Sequence, residues 1–281
     1  CLRWAGLRFR IVMPLSGVLV SFGNVRKCTK KYRLTRSDSP RFVTSGRRRS
    51  ALRSGRPFRK SGKLLYLSDK RRRMIPKIIH YCWFGRGKMP ELAEHCLASW
   101  RKFLPDYGLK LWNEDSFDVN RLRFTRQAYE RRKFAFVTDY VRLYALKSFG
   151  GIYMDTDVEV LRSLDDLLGL PGFTGFESNC LLPTGLLASR KGAPWLDMLM
   201  SYYDGKPFVR WYGRLNDTPN TLIISKIFRR RGIRLDNTYQ VYDGELHFFP
   251  KDYFCPKTYE TGQLELTENS YCIHHFAGSW K

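Results

Sequence analysis

The sequence predicts an α/β layer fold with a mainly parallel central sheet flanked by helices. Two observations carry this. From residue 75 onward, short apolar runs alternate with longer stretches of helical spacing. The chain of 281 residues is 43% hydrophobic and 15% aromatic, enough to bury a sizeable core.

The elements follow in order. "KIIHYCWF" (77–84) reads as a buried strand ended by Gly85 and Gly87. "PELAEHCLASWRKFL" (90–104) has helical spacing after Pro90, a good first-turn residue. "LKLWN" (109–113) is a second strand, and 116–130 a polar helix. "KFAFVTDYVRLYALKSFGG" (133–151) is a helix apolar on most faces, stopped by Gly150 and Gly151. "IYMDTDVEVL" (152–161) is a third strand, interrupted by carboxylates. Strands near 172–176 and 184–189, helices near 194–203 and 217–231, and short strands near 240–249 and 270–275 complete the pattern.

The charge divides the chain. Residues 1–73 hold 22 Lys+Arg against 2 Asp+Glu, and residues 74–281 hold 28 against 24. The net charge of +24 suggests a nucleic-acid partner, but nearly all of it lies before Met74. Residues 1–73 therefore read as a basic, disordered extension or mis-assigned upstream sequence, and 74–281 as the folded domain. The sequence opens on Cys1 and "IPKIIHYCW" follows Met74 directly, so Met74 is the expected start of the domain. The apolar stretch "IVMPLSGVLVSFG" is about 13 residues long, short of the roughly 20 a membrane helix needs. Seven cysteines without a C-x-x-C pair or zinc-ligand spacing fit a reducing compartment.

The chemistry concentrates at "FGGIYMDTDVEV" (149–160), where a buried-looking strand ends on Asp155 and Asp157. Alternate strand residues share a face, so the two carboxylates can reach one cation. Hard oxygen ligands without a thiol pair suit Mg²⁺ or Mn²⁺. Strand carboxyl ends in α/β sheets are where ligands bind. Asp139 and Arg142 lie one helical turn apart on a helix with little solvated surface, so this pair needs polar partners. Trp83 closes the first strand and reads either as core or as a stacking surface for a base. His274 and His275 in "YCIHHFAGSW" are adjacent on a strand, so at most one faces a given site, as a further metal ligand or neither. Glu177 in "GFESN" is a further candidate carboxylate.

"IPKIIHYCWFG", "AFVTDYVRLYALKSFGGIYMDTDVEV" and "CIHHFAGSW" together resemble the DXD-containing sugar transferases of glycosyltransferase family 32, over about residues 74–281. The resemblance implies a GT-A fold, a retaining transferase and a divalent cation, Mn²⁺ before Mg²⁺. It implies a UDP- or GDP-linked sugar donor and a glycan or lipid-linked acceptor, as in polysaccharide or capsule synthesis. Asp155 and Asp157 then hold the metal with His274 or His275, and Asp139 and Arg142 contact the donor sugar. Trp83, Gly151, Ser279 and Trp280 fall at donor-binding positions. A cytoplasmic enzyme with peripheral inner-membrane contact is expected, with "RRRGIR" (229–234) as a docking aid. Two other classes compete. One is a nucleic-acid-binding protein acting through residues 1–73; the other is a metal-dependent phosphoesterase, which would want more His and Asp ligands.

Overall fold

A computed structural model of the chain describes residues 74–183 and 185–278. The basic extension (1–73), Ser279 and Trp280 lie outside the described residues.

Nine strands and six α-helices form among the described residues. In chain order they are β1 (Ile78–Cys82), α1 (Glu91–Phe103), β2 (Gly108–Trp112), α2 (Arg123–Glu130), α3 (Phe134–Phe149), β3 (Gly151–Met154), β4 (Val158–Val160), β5 (Gly172–Gly175), β6 (Leu186–Ser189), α4 (Pro194–Met200), α5 (Asn220–Arg229), β7 (Gln240–Tyr242), β8 (Leu246–Phe249), α6 (Lys251–Phe254) and β9 (Cys272–His274).

Seven strands make one sheet in the order β2-β1-β3-β6-β5-β8-β7. β1 runs parallel to β2 and β3, and β5 runs parallel to β8. β6 is antiparallel to both β3 and β5, so β5 and β8 point the same way as β1, β2 and β3. Five of the seven strands thus share one direction, with β6 and β7 opposed. This is the mainly parallel α/β sheet the sequence predicts.

Each strand divides its side chains between two cores, as a period of two requires. Tyr153 of β3 points into a core with α3 and α4, while its neighbours Ile152 and Met154 point into a second core with α1. Both faces being covered explains why β3 reads as a continuous apolar run.

Three expectations are corrected. The "third strand" of 152–161 is two strands in two sheets: the chain turns at Asp155–Asp157, Val158 N–H donating to the Asp155 carbonyl (3.0 Å), and β4 pairs antiparallel with β9. The helix expected over 116–130 begins only at Arg123, because Leu122 is extended (φ −128°, ψ 148°) and a short 3₁₀ turn capped by Asp118 precedes it. The helix expected over 217–231 starts at Asn220, behind extended Pro219.

The α3–β3 junction is closely packed. Gly150 and Gly151 have φ of +69° and +111°, a region most side chains avoid. A Cβ on Gly151 would also lie 2.6 Å from the Ile78 carbonyl oxygen of β1. His80, fully buried, locks the corner: its Nε2 meets the Gly150 carbonyl at 2.8 Å while Trp112 Nε1–H donates to its Nδ1 at 3.1 Å. Nδ1 therefore accepts and Nε2 carries the proton. Burial, partly opposed by the Gly150 hydrogen bond, lowers His80 to a pKa of about 4.

Candidate active site

The parallel strands deliver their carboxyl ends to one edge of the sheet, and the turn after β3 lies there. Asp155 N–H donates to the Gly185 carbonyl at 2.7 Å, tying this turn to the start of β6. β9, through its pairing with β4, brings His274 opposite Val158. The result is one compact group: an oxygen of Asp155, an oxygen of Asp157 and a nitrogen of His274 lie within 4.8 Å of one another. Among the described residues it is the one group of three or more His, Cys, Asp or Glu placed closely enough to hold a metal ion.

The two carboxylates are held by different means. Asp155 accepts from Tyr153 Oη–H at 2.6 Å and faces Arg142 Nη2 at 3.2 Å through the same oxygen. Asp157 faces His274 Nε2 at 3.4 Å through Oδ1 and accepts from the Ala277 N–H at 2.8 Å through Oδ2. Burial works against the Asp157 charge, but His274 and the Ala277 amide outweigh it and hold the carboxyl at about 2. Both carboxylates keep an oxygen directed at the group, and one imidazole completes it. That donor set fits a hard divalent cation, and the nitrogen moves the preference from Mg²⁺ toward Mn²⁺.

Asp139 and Arg142 lie under this group, 8% and 5% exposed on α3. Arg142 Nη2 bridges Asp139 (3.3 Å) and Asp155 (3.2 Å), and its guanidinium lies 4.7 Å from the Tyr153 ring centre. Asn220 Nδ2–H, at the first turn of α5, donates to Asp139 at 3.1 Å. Burial raises the Asp139 carboxyl to about 6 even with Arg142 beside it. For Arg142, burial opposes the charge, yet Asp155, Tyr153 and Asp139 together keep it firmly protonated.

The remaining expected positions divide. His274 joins Asp155 and Asp157; His275 turns to the other side and meets Glu159 at 2.8 Å. Trp83 is half-buried at the carboxyl end of β1, its Nε1–H donating to the Gly87 carbonyl at 2.6 Å. Gly151 packs against β1, with no space for a side chain. Glu177, after β5, is half-buried, and burial raises its carboxyl; His274 opposes this, while Asp155, Glu260 and Asp157 add to it. Glu177 therefore sits within electrostatic reach of Asp155, Asp157 and His274.

Sequence reasoning missed four contributors. Glu159 continues the every-second-residue carboxylates of Asp155 and Asp157, a signal readable in "DTDVE". It holds His275 at 2.8 Å and His95 of α1 at 3.3 Å, and so clasps the C-terminal segment to the rest of the fold. Gly185 leaves room for His274: a Cβ there would lie 3.2–3.4 Å from the imidazole. Asn220 and the Ala277 amide act from distant parts of the chain and carry no local signal.

Residues 90–172 match the family described as "Glycosyltransferase sugar-binding region containing DXD motif", a stretch running from α1 through the Asp155–Asp157 turn. The chain is 32% identical over 126 residues to "Inositol phosphoceramide mannosyltransferase 3" of Schizosaccharomyces pombe, covering 43% of this chain and 35% of that protein. It is 32% identical over 107 residues to "Mannosyl phosphorylinositol ceramide synthase SUR1" of Saccharomyces cerevisiae, covering 36% and 27%. The matched stretches thus span about a third of the length of these curated relatives. A solved "glycosyltransferase involved in the glycosylation of the major capsid of PBCV-1" aligns over 73% of this chain and 96% of its own, with 11% identity and a TM-score of 0.42.

Proposed function

We propose, from the premise that this chain belongs to the glycosyltransferases with a DXD-containing sugar-binding region, of the family 32 type, that it moves a sugar from a nucleotide-diphosphate donor to a hydroxyl of a glycan or lipid-linked acceptor. The observation that carries the reading is the convergence of Asp155, Asp157 and His274 within 4.8 Å at the carboxyl edge of the sheet.

A divalent cation bound there supplies positive charge for the diphosphate as it departs. Asp155 and Asp157 would hold that cation, with His274 as the third protein ligand. The Ala277 N–H keeps Asp157 in a single orientation. Arg142 is buried and charged, and Asp139 accepts hydrogen bonds; together they orient the hydroxyls of the donor sugar beside the reacting carbon. In the transfer, the bond from the anomeric carbon to the diphosphate oxygen breaks. The electron pair leaves with the nucleoside diphosphate. The acceptor hydroxyl oxygen forms the new bond on the same face, and its proton passes to the departing phosphate oxygen. This retaining course needs no carboxylate nucleophile across the ring. Glu177 is assigned to the acceptor side, where its raised carboxyl can hydrogen-bond an incoming hydroxyl.

Release of nucleoside diphosphate from a panel of UDP- and GDP-sugars, with Mn²⁺ and with chelator, tests the reading. One donor should be hydrolysed slowly and only with metal, and Asp155→Asn or Asp157→Asn should cost about 10²-fold or more, the scale of removing a group that stabilises developing charge, with folding retained. Full activity in either variant would refute the assignment.

A further inference from the structure

The loop that leads into α5 leaves two aromatic rings in solvent although its stem is firmly anchored. Phe208, fully buried, packs against Phe124 and Phe136 with ring centres 5.3 and 5.1 Å away. Val209 pairs antiparallel with Leu215, and Val209 N–H donates to Gln127 Oε1 at 3.0 Å. Two further rungs close the hairpin: Asn216 N–H to the Phe208 carbonyl (2.7 Å) and Arg210 N–H to the Arg214 carbonyl (2.9 Å). Gly213 makes the turn at φ +81°.

On this rigid stem, Trp211 is 94% exposed and Tyr212 50% exposed, their rings edge to face at 5.2 Å. Arg210 fixes the tip by donating to Tyr212 Oη (2.9 Å) and to Asn216 Oδ1 (3.3 Å). Residues 205–216 carry Lys206, Arg210 and Arg214 and no acidic residue. The loop stands beside the site: Tyr202 lies within electrostatic reach of both Arg210 and Asp139, and Asn220, just past the loop, holds Asp139 at 3.1 Å.

An almost bare tryptophan on an ordered stem is costly in water, and tryptophan and tyrosine find their best environment at a membrane–water boundary. Arginine and lysine around such rings meet lipid phosphates. Trp211, 94% exposed, touches only the Tyr212 ring among the ring contacts of the described residues. We propose that the hairpin 208–216 docks on an anionic lipid bilayer, with Trp211 and Tyr212 entering the interface and Lys206, Arg210 and Arg214 meeting the headgroups. Docking in this way holds the donor site next to acceptors carried by the membrane. It goes beyond the transferase reading and can fail independently of it, since vesicle binding is measured without donor or metal.

The test uses the full chain with vesicles of phosphatidylcholine alone and of phosphatidylcholine with phosphatidylserine. The 22 Lys+Arg before Met74 would attract anionic vesicles by charge alone, so the decisive readout is specific to the hairpin. Lipids brominated in the upper acyl chain should quench tryptophan fluorescence more strongly in the parent protein than in W211S/Y212S, any quenching left in the variant coming from the other six tryptophans. The same variant should bind the anionic vesicles about tenfold more weakly at physiological salt, as loss of interfacial aromatic area implies. R210S/R214S should lower binding to the anionic vesicles and leave the neutral ones unchanged. Nucleotide-sugar hydrolysis, retained in W211S/Y212S, serves as the folding control. Equal quenching and equal binding in parent and W211S/Y212S would overturn the proposal. So would quenching of Trp211 by soluble oligosaccharide with none by vesicles, which would make the ring a glycan platform.

Discussion

Replacing Arg142 with Met tests whether the buried charges beneath the site are in fact interdependent. Arg142 is 5% exposed and bridges Asp139 at 3.3 Å and Asp155 at 3.2 Å. At an effective dielectric of about 20, each contact contributes roughly 5 kcal/mol of attraction before desolvation. Burial of the three ions cancels most of that, so the pair is worth little against an apolar substitute of equal volume. Removing one partner is different, because the desolvation of the carboxylates remains; such losses run to about 3–5 kcal/mol. Asp139 has an escape, since its carboxyl already sits at about 6 with Arg142 present. Without the guanidinium it rises further and takes up a proton.

The sign of the pH effect follows. A carboxyl whose folded pKa exceeds its unfolded value binds more protons in the folded state, so stability falls as pH rises from the unfolded value through the folded one. R142M should therefore lose about 3–5 kcal/mol at pH 8 and distinctly less at pH 5. Adding Asp139→Asn should recover part of the loss at pH 8 and little at pH 5. Urea unfolding of the four proteins of this cycle, at both pH values, is the assay. A loss under about 1 kcal/mol at pH 8, the level of an exposed pair, or a larger loss at pH 5 than at pH 8, would refute the reasoning.

Three further outcomes are expected. Gly185→Ala crowds the His274 ring at 3.2–3.4 Å, so Mn²⁺ affinity, read by titration calorimetry, should fall about tenfold, the lower scale of damage to groups that orient a ligand, with unfolding stability nearly unchanged; parent-like affinity would place His274 outside the metal site. Glu159→Gln weakens the clasp on His275 and His95 and should lower Mn²⁺ affinity about tenfold without removing any ligand; unchanged affinity would make the clasp purely structural. His80, with a folded pKa of about 4 against 6.5, binds fewer protons when folded, so it contributes stability above pH 6.5 that is lost as pH falls to 4. The full contribution is about 3 kcal/mol at 1.36 kcal/mol per pKa unit, and the loss on acidification should be shallower in His80→Gln than in the parent; identical pH dependence would contradict the assignment.

The elements with strong local signals were legible in the sequence. α1 and α3 have helical spacing with a clear start or stop, and the sheet strands are apolar runs between breakers. What periodicity could not reveal was the turn at Asp155–Asp157. A six-residue alternation, "DTDVEV", looks the same whether it continues one strand or crosses between sheets, because the partner strand β9 lies more than a hundred residues away. The same distance hides Asn220 and Ala277, whose roles exist only once α5 and the C-terminal segment have folded back. Asp139 and Arg142 were legible for the opposite reason: a charged pair on a helix with nine buried positions stands out against its surroundings.

That turn also changes why the two carboxylates converge. Strand alternation alone would set Asp155 and Asp157 on one face about 7 Å apart, two rises of about 3.3 Å, with no third ligand in reach. Leaving the sheet after Met154 lets the chain start β4, and only β4 can recruit β9 and with it His274, His275 and Ala277. Asp157 gains its imidazole and its amide from that recruitment, while Asp155 gains Arg142 and Tyr153 from the main sheet and α3. The two carboxylates of one short motif thus belong to two separately built halves of the fold. A variant that loosens β9 should accordingly weaken the metal group through Asp157 and His274 while leaving the Asp139–Arg142–Asp155 bridge intact, and Glu159→Gln is the variant that separates the two.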